Sequence, residues 1–262
     1  MEAEEILDPK GLEELAAYLG KRPETNLPML AALEESRGSF FGVRDEGGRL
    51  IGVALAEEDS LAYLSTQNPR AARALGMALR NRNVDVLLAE RETADRGWRA
   101  LALVTPRLAL DQALYALKTP PAIEPLPLRA AIRDELAEVQ RIAHAMFWEE
   151  VGLPPAVPTL NAHIQEELEE GSLRVYSENG RVLFLARVAV RCRAGAELQR
   201  VYTAPSHRRE GLATRGIATL CQELLQELPR VVLRVNESNH AAIRLYRNLG
   251  FSRAGRIRLY CR

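Results

Sequence analysis

Residues 198–214 read Leu-Gln-Arg-Val-Tyr-Thr-Ala-Pro-Ser-His-Arg-Arg-Glu-Gly-Leu-Ala-Thr. An apolar strand runs into Pro205, which ends it, and a turn through Arg208, Arg209, Glu210 and Gly211 precedes a helix beginning near Leu212. A helix N-terminus offers unpaired N–H groups and the positive end of its dipole, which suits a pyrophosphate. Gly211 lets the backbone close on oxygens without a Cβ in the way, and Ala213 allows a similarly close approach. Arginines on the turn add charge for phosphates. An ordinary strand–turn–helix with solvated arginines has the same local pattern.

A second constellation lies downstream, at Asn239, Ala242, Tyr246, Gly250 and Phe251. Asn239 is suited to cap a helix, and Ala242 and Tyr246 follow on the face it begins. Gly250 is a helix stop. A small residue one turn below a tyrosine leaves a slot beside the helix that opens onto the phenol. A half-buried core tyrosine fits the same spacing.

Taken together, Arg208-x-x-Gly211-x-Ala213 and Asn239-x-x-Ala242-x-x-x-Tyr246-x-x-x-Gly250-Phe251 resemble the two hallmark motifs of the GNAT N-acetyltransferase family, in the family's order. The resemblance covers most of residues 124–262 and implies acetyl-CoA as co-substrate, with no metal. It places the pantetheine arm along the backbone of Val201, Tyr202 and Thr203, and the pyrophosphate on the N–H groups of Arg209, Glu210, Gly211, Leu212, Ala213 and Thr214. Asn239, with Asn236 as a weaker partner, would hold the arm, and Tyr246 would protonate the departing thiolate. Glu197, at the start of the cofactor strand, is the first candidate for the base that frees the amine. A solvated strand-end carboxylate is the simpler account of it, and Glu149 and Glu150, after Met146-Phe147-Trp148, are alternatives. Phe147 and Trp148 are suited to wall an apolar acceptor, or to core packing. The implied acceptor is a primary amine of a small molecule or peptide. A binding module that senses acyl-CoA without turnover is the alternative.

These groups need a scaffold. Expected elements of the second half are a helix ending near Glu170, strands at 173–177 and 182–190 about the Asn179-Gly180 turn, and a strand at 196–203. A helix at 213–227, a strand at 230–235, a helix at 239–249 and a strand at 255–261 follow. The first half repeats the helix, Gly-Ser, strand, Gly-turn, strand order, with strands at 40–44, 50–56, 61–65 and 84–90 and helices at 69–81 and 106–117. Its counterpart of the phosphate turn reads Gln67-Asn68-Pro69-Arg70-Ala71-Ala72, without glycine. The expected architecture is α/β: a GNAT fold with a mixed, mostly antiparallel sheet over 123–262, preceded by a degenerate GNAT-like domain over 1–122. The proline-rich stretch 119–127 marks their boundary.

Composition narrows the function classes. Among 262 residues, 35 Lys and Arg balance 35 Asp and Glu, which disfavours nucleic acid or anionic membrane as a partner. Cys192, Cys221 and Cys261 lack metal-ligand spacing, and His144, His163, His207 and His240 share none. The acidic start does not resemble a signal peptide, and no run is long enough to span a membrane, so a cytoplasmic protein is expected, monomer or homodimer.

Overall fold

The computed structural model describes residues 1–102, 105–152, 154 and 156–262. The first half runs β1 (Ala3–Glu5), α1 (Pro9–Leu19), α2 (Pro23–Glu34), β2 (Ser39–Arg44), β3 (Leu50–Ala56) and β4 (Leu61–Thr66). It continues through α3 (Pro69–Ala78), β5 (Val86–Glu90), α4 (Arg91–Leu101) and β6 (Leu108–Leu117). The second half repeats that order as β7 (Arg129–Ala130), α5 (Leu136–Val151), α6 (Val157–Glu169), β8 (Leu173–Glu178), β9 (Arg181–Cys192) and β10 (Gly195–Thr203). It closes with α7 (Leu212–Leu224), β11 (Val231–Asn236), α8 (His240–Asn248) and β12 (Ser252–Cys261).

The twelve strands of the described residues form one sheet in the order β1-β2-β3-β4-β5-β12-β6-β11-β10-β9-β8-β7. The order is symmetric about the antiparallel β12·β6 pair, so the halves are related by a pseudo-twofold axis and have exchanged their last strands. Among the described residues, only β4·β5 and β10·β11 pair in parallel. The mixed, mostly antiparallel sheet and the two-half repeat are as expected. The two halves repeat one order of elements, but in packing they interlock.

The end of the first half departs from the sequence-based expectation. The helix expected at 106–117 is the strand β6, and the helix α4 occupies residues with no assigned element. Leu-Ala-Leu-Asp-Gln-Ala-Leu-Tyr-Ala-Leu is rich in helix formers, yet it lies at the sheet centre with both faces covered. Ala113, Tyr115 and Leu117 enter the core beneath α7 and α8, whereas Leu114 and Ala116 enter the core beneath α1 and α2. A strand buried on both sides loses the polar alternation by which strands are recognised, and tertiary pairing overrides propensity.

Residues 119–127 are not a loose tether. Proline leaves them few donors, so they are held through carbonyls. Gln222 on α7 donates to the carbonyls of Pro121 at 2.7 Å and Ile123 at 2.9 Å, and Arg215 donates to that of Pro125 at 3.0 Å. The Leu126 amide donates to the Thr219 hydroxyl at 2.8 Å, with Leu126 itself buried.

Strand exchange predicts that residues 123–262 expressed alone fail to fold. They would leave the edge of β11 bare and lose the side chains of Tyr115 and Leu117, each contributing about 2 kcal/mol of burial. Co-expression with residues 1–122 should yield a soluble complex. A folded monomer of 123–262 by circular dichroism and light scattering would contradict the exchange.

Candidate functional site

The site begins where two parallel strands stop pairing. β10 and β11 are joined only from Ala196–Leu198 to Val231–Leu233. Beyond that, β10 stays with β9 as far as Thr203↔Phe184, and β11 stays with β6 as far as Asn236↔Gln112. The inner edges of Val201, Tyr202 and Thr203 therefore face a wedge, where their amides and carbonyls need partners from outside the sheet. A register shift between Gln199 and Tyr202 marks a bulge, and Arg200 within it has φ 51°, a left-handed conformation costly to a residue with a Cβ.

That conformation is held by a buried carboxylate. Glu167 of α6, 3% exposed, accepts hydrogen bonds from Arg200 at 3.0 and 3.1 Å and pairs with Arg187 of β9 at 2.8 Å. An ion so enclosed is tolerated only with good partners, and two guanidinium groups supply them. Sequence reasoning missed this cluster. The signal available was Gln199-Arg200, two consecutive polar residues that break the alternation of the strand.

The turn that follows keeps its amides available. Arg209 has φ 71° and Gly211 φ 82°, and no side chain caps α7. A Cβ added at Gly211 would meet nothing within 4 Å, so the space before the helix is open. Arg208 folds back to donate to the Thr203 carbonyl at 3.3 Å and pairs with Glu149 at 3.3 Å, both side chains exposed. Glu210, Leu212, Ala213 and Thr214 complete the first turn. The contrast with α3 is direct: there the Asn68 side chain accepts from the amides of Arg70 and Ala71, and Pro69 has no N–H.

On the same face of the sheet, Asn239 caps α8 by accepting from the Ala242 amide at 3.1 Å, which leaves its side-chain NH2 to donate elsewhere. Asn236 at the end of β11 accepts from the Ser238 amide and hydroxyl, also through its oxygen. Tyr246 is 5% exposed, tilted against Phe251 at 5.9 Å, in the core formed with α7. Burial, and secondarily the charge of Glu150, raises its phenol pKa above the ordinary tyrosine range.

Glu150 stands on the opposite face, at the C-terminal end of α5, which packs with Leu173, Val175 and Leu185. Its side chain reaches solvent, but protein surrounds it closely enough that desolvation raises its pKa above the usual carboxylate range. Arg200 opposes that rise and Glu149 adds to it. Trp148, 57% exposed, stands beside them and Phe147 is half-buried.

Glu197 is positioned differently from its expected role. It lies in the paired stretch before the wedge, 2% exposed, and accepts from Arg234 at 2.7 and 2.9 Å and from Gln199 at 2.9 Å. With Arg234 it borders a small cavity under α2 of the first half. So committed, it is a buried counter-ion and not a free base. Among the described residues, no cluster of His, Cys, Asp or Glu could hold a metal, and no helix is long and apolar enough to cross a membrane. Cys221 is buried, which pushes its thiol up to about 12.

Comparison with protein families matches residues 141–251 to the acetyltransferase (GNAT) family. Among solved structures, an acetyltransferase of the GNAT family from Colwellia psychrerythraea is 17% identical, with 100% of this chain and 99% of that chain covered and a TM-score of 0.55. A tandem GNAT protein from the clavulanic acid biosynthesis pathway is 16% identical, with coverage of 99% and 97% and a TM-score of 0.55. A Drosophila protein is 14% identical over 99% and 98% of the two chains, with a TM-score of 0.71. At these identities the likeness is one of fold, and it extends over both halves. No curated protein sequence matches the chain.

The open space before α7 yields a sharp expectation. Gly211→Val should lower stability by only about 1 kcal/mol, the cost of a left-handed φ in a residue with a Cβ. It should nonetheless weaken CoA binding at least ~10-fold by calorimetry, because the new side chain fills the space before the amides. Unchanged affinity would mean that this turn does not hold the diphosphate.

Proposed function

Because residues 141–251 are a GNAT acetyltransferase domain, we propose that this acyltransferase moves an acetyl group from acetyl-CoA to a primary amine of a small molecule or peptide by direct attack. The observation that carries this reading is the wedge between β10 and β11, with Tyr246 on one face of the sheet and Glu150 on the other. A thioester in the gap would meet an amine arriving from the α5 side and an acid on the α8 side.

The uncapped amides from Arg209 to Thr214 would hold the diphosphate, and Arg208 would leave Glu149 to join it. Val201, Tyr202 and Thr203 would pair with the pantetheine amides as a strand edge pairs with a new strand. Asn239 would donate its NH2 to the arm, and Asn236 would do so from the strand end. A Val201 or Tyr202 amide past the bulge would stabilise the negative charge developing on the thioester oxygen. Glu150 would take a proton from the ammonium form of the acceptor, a task for which a raised carboxylate pKa is suited. Tyr246 stays protonated at neutral pH and would give its proton to the departing sulfur. The exposed ring of Trp148 would bear on the acceptor's apolar part.

Tyr246→Phe separates catalysis from binding. Thiol release from acetyl-CoA should fall ~10²-fold or more while CoA affinity changes little. Unchanged turnover would remove the tyrosine from the reaction, and absence of turnover with every amine in a broad panel would leave only acyl-CoA binding.

Glu150→Gln should lower kcat/KM by ~10²-fold or more. In the unaltered enzyme kcat/KM should fall as pH drops through the raised pKa of Glu150, and the variant should lack that limb. The stability effect has the opposite sign. A carboxylate whose folded pKa exceeds its unfolded value costs stability as pH rises past the unfolded value, with the full cost present above the folded pKa. The variant should therefore melt higher at pH 7, and the gain should vanish below about pH 4. Loss of activity with loss of stability would argue for a structural role instead.

A further inference from the structure

The first half has a cleft of its own where the second half opens the cofactor wedge. β4 and β5 pair in parallel from Leu61–Leu64 to Val86–Ala89 and then part, and a cavity of about 350 Å³ lies beyond. Gln67, Asn68, Thr93, Arg91, Arg96 and Arg256 are among the residues that line it. Two features make it unlike its counterpart. Asn68 and Pro69 leave no free amides at the start of α3, and Thr93 donates its hydroxyl to the Thr66 carbonyl at 2.7 Å, stitching the strand edge. The start of α3 therefore offers a ligand no amides, and the positive side chains that line the cavity, Arg91, Arg96 and Arg256, stand beside the first turn of α4, which has no side-chain cap.

The carboxylates around it are already engaged. Glu90 is clasped by Arg22, and Glu92 pairs with Arg96 at 3.2 Å. Arg91 has its nearest carboxylate, Asp111, at 3.8 Å, and that group is held more tightly by Arg258, at 2.6 and 2.7 Å. Arg256 shares the single carboxylate of Glu237 with Arg253. Arg258 also pairs with Asp95 at 2.8 Å, so Asp95 and Asp111 balance Arg91 and Arg258, and the positive charge left over at the cavity comes from Arg253 and Arg256 on the one carboxylate of Glu237. Its volume is at the small end for ligand pockets.

We infer that this cavity binds a small dianion, a phosphate or a dicarboxylate, between Arg91 and Arg256. Guanidinium groups approaching from α4 and β12 give such an ion the paired, charge-assisted hydrogen bonds that favour arginine for the purpose. The site also has a route to the other half. Arg256 holds Glu237 at 2.9 and 3.0 Å through its Nε, and Glu237 lies in the loop between Asn236 and Asn239. A dianion that draws Arg256 away leaves the Glu237 carboxylate to Arg253 alone and loosens that loop, so its binding should weaken the grip on acetyl-CoA. The binding itself is independent of the acetyltransferase reading, whereas this coupling rests on it.

The test is calorimetric titration of the full-length protein with inorganic phosphate and with succinate. Because phosphate can also enter the turn before α7, Gly211→Val is titrated in parallel and should retain the binding. Arg91→Ala should lose it by at least ~10-fold, with Arg91→Lys intermediate and melting temperatures of both variants close to the parent's. Arg91-dependent binding of phosphate alone identifies a phosphorylated ligand, and of succinate a dicarboxylate; either result supports the site. In acyl-transfer assays the bound anion should raise KM for acetyl-CoA severalfold in the parent and not in Arg91→Ala. Binding of neither anion, or binding untouched by Arg91→Ala, overturns the proposal. Arg91-dependent binding in a protein with no acyl-transfer activity would sustain the site and remove the acetyltransferase reading alone.

Discussion

β10 and β11 share hydrogen bonds over three residues and then separate, and the chemistry available to this protein follows from that parting. Each strand still has a neighbour on its outer side, β9 for one and β6 for the other, so the sheet remains intact around the gap. The inner edges carry backbone donors and acceptors that no protein strand satisfies. Holding such a gap open requires local force. The left-handed Arg200 bends β10 at the bulge, and Glu167, itself paired with Arg187, holds the guanidinium that the bend directs toward α6. A buried ion cluster is a poor source of net stability, because desolvation cancels much of the attraction. Its value here is geometric, since an apolar replacement would leave the bulge without a fixed partner.

The exchange of last strands gives the first half a part in that geometry. β6 belongs to residues 1–122, yet it supplies the outer neighbour of β11 and thereby one wall of the wedge. α2 covers the Glu197–Arg234 pair from the other face. The halves are related by a pseudo-twofold axis, but the two wedges have separate fates. Open amides at Gly211 keep the second accessible, whereas Asn68, Pro69 and Thr93 close the first to a main-chain ligand. A few side chains decide the difference, with the strand pairing alike in both.

Tyr246 and Glu150 lie on opposite faces of one sheet, in two different environments. Tyr246 lies in the apolar core under α7 and α8, where burial favours the neutral phenol. Glu150 lies at the rim of the other face, open to solvent and still crowded enough for its carboxylate to hold a proton more firmly than in water. Glu197, closer along the chain to the cofactor strand, is neutralised by Arg234 and has no such freedom.

Much was decided by the sequence alone. Gly211, Asn239 and Gly250 act through local backbone chemistry, and each does so where the chain pattern indicates, ahead of α7, at the N-terminus of α8 and past its end. The Asn179-Gly180 turn, the repeat of elements in the halves and the loss of the phosphate turn at Asn68-Pro69 are local in the same sense. Tertiary structure alone decided what depends on partners distant in the chain. β6 reads as a helix until it is seated between β11 and β12, because Leu and Ala suit either state and only long-range pairing chooses between them. The roles of Glu167, Glu197 and Glu150 rest on arginines 20, 33, 37 and 50 positions away in Arg187, Arg200, Arg234 and Arg200 respectively. A carboxylate's charge, burial and reach are set by what the fold brings to it, and no local pattern records that.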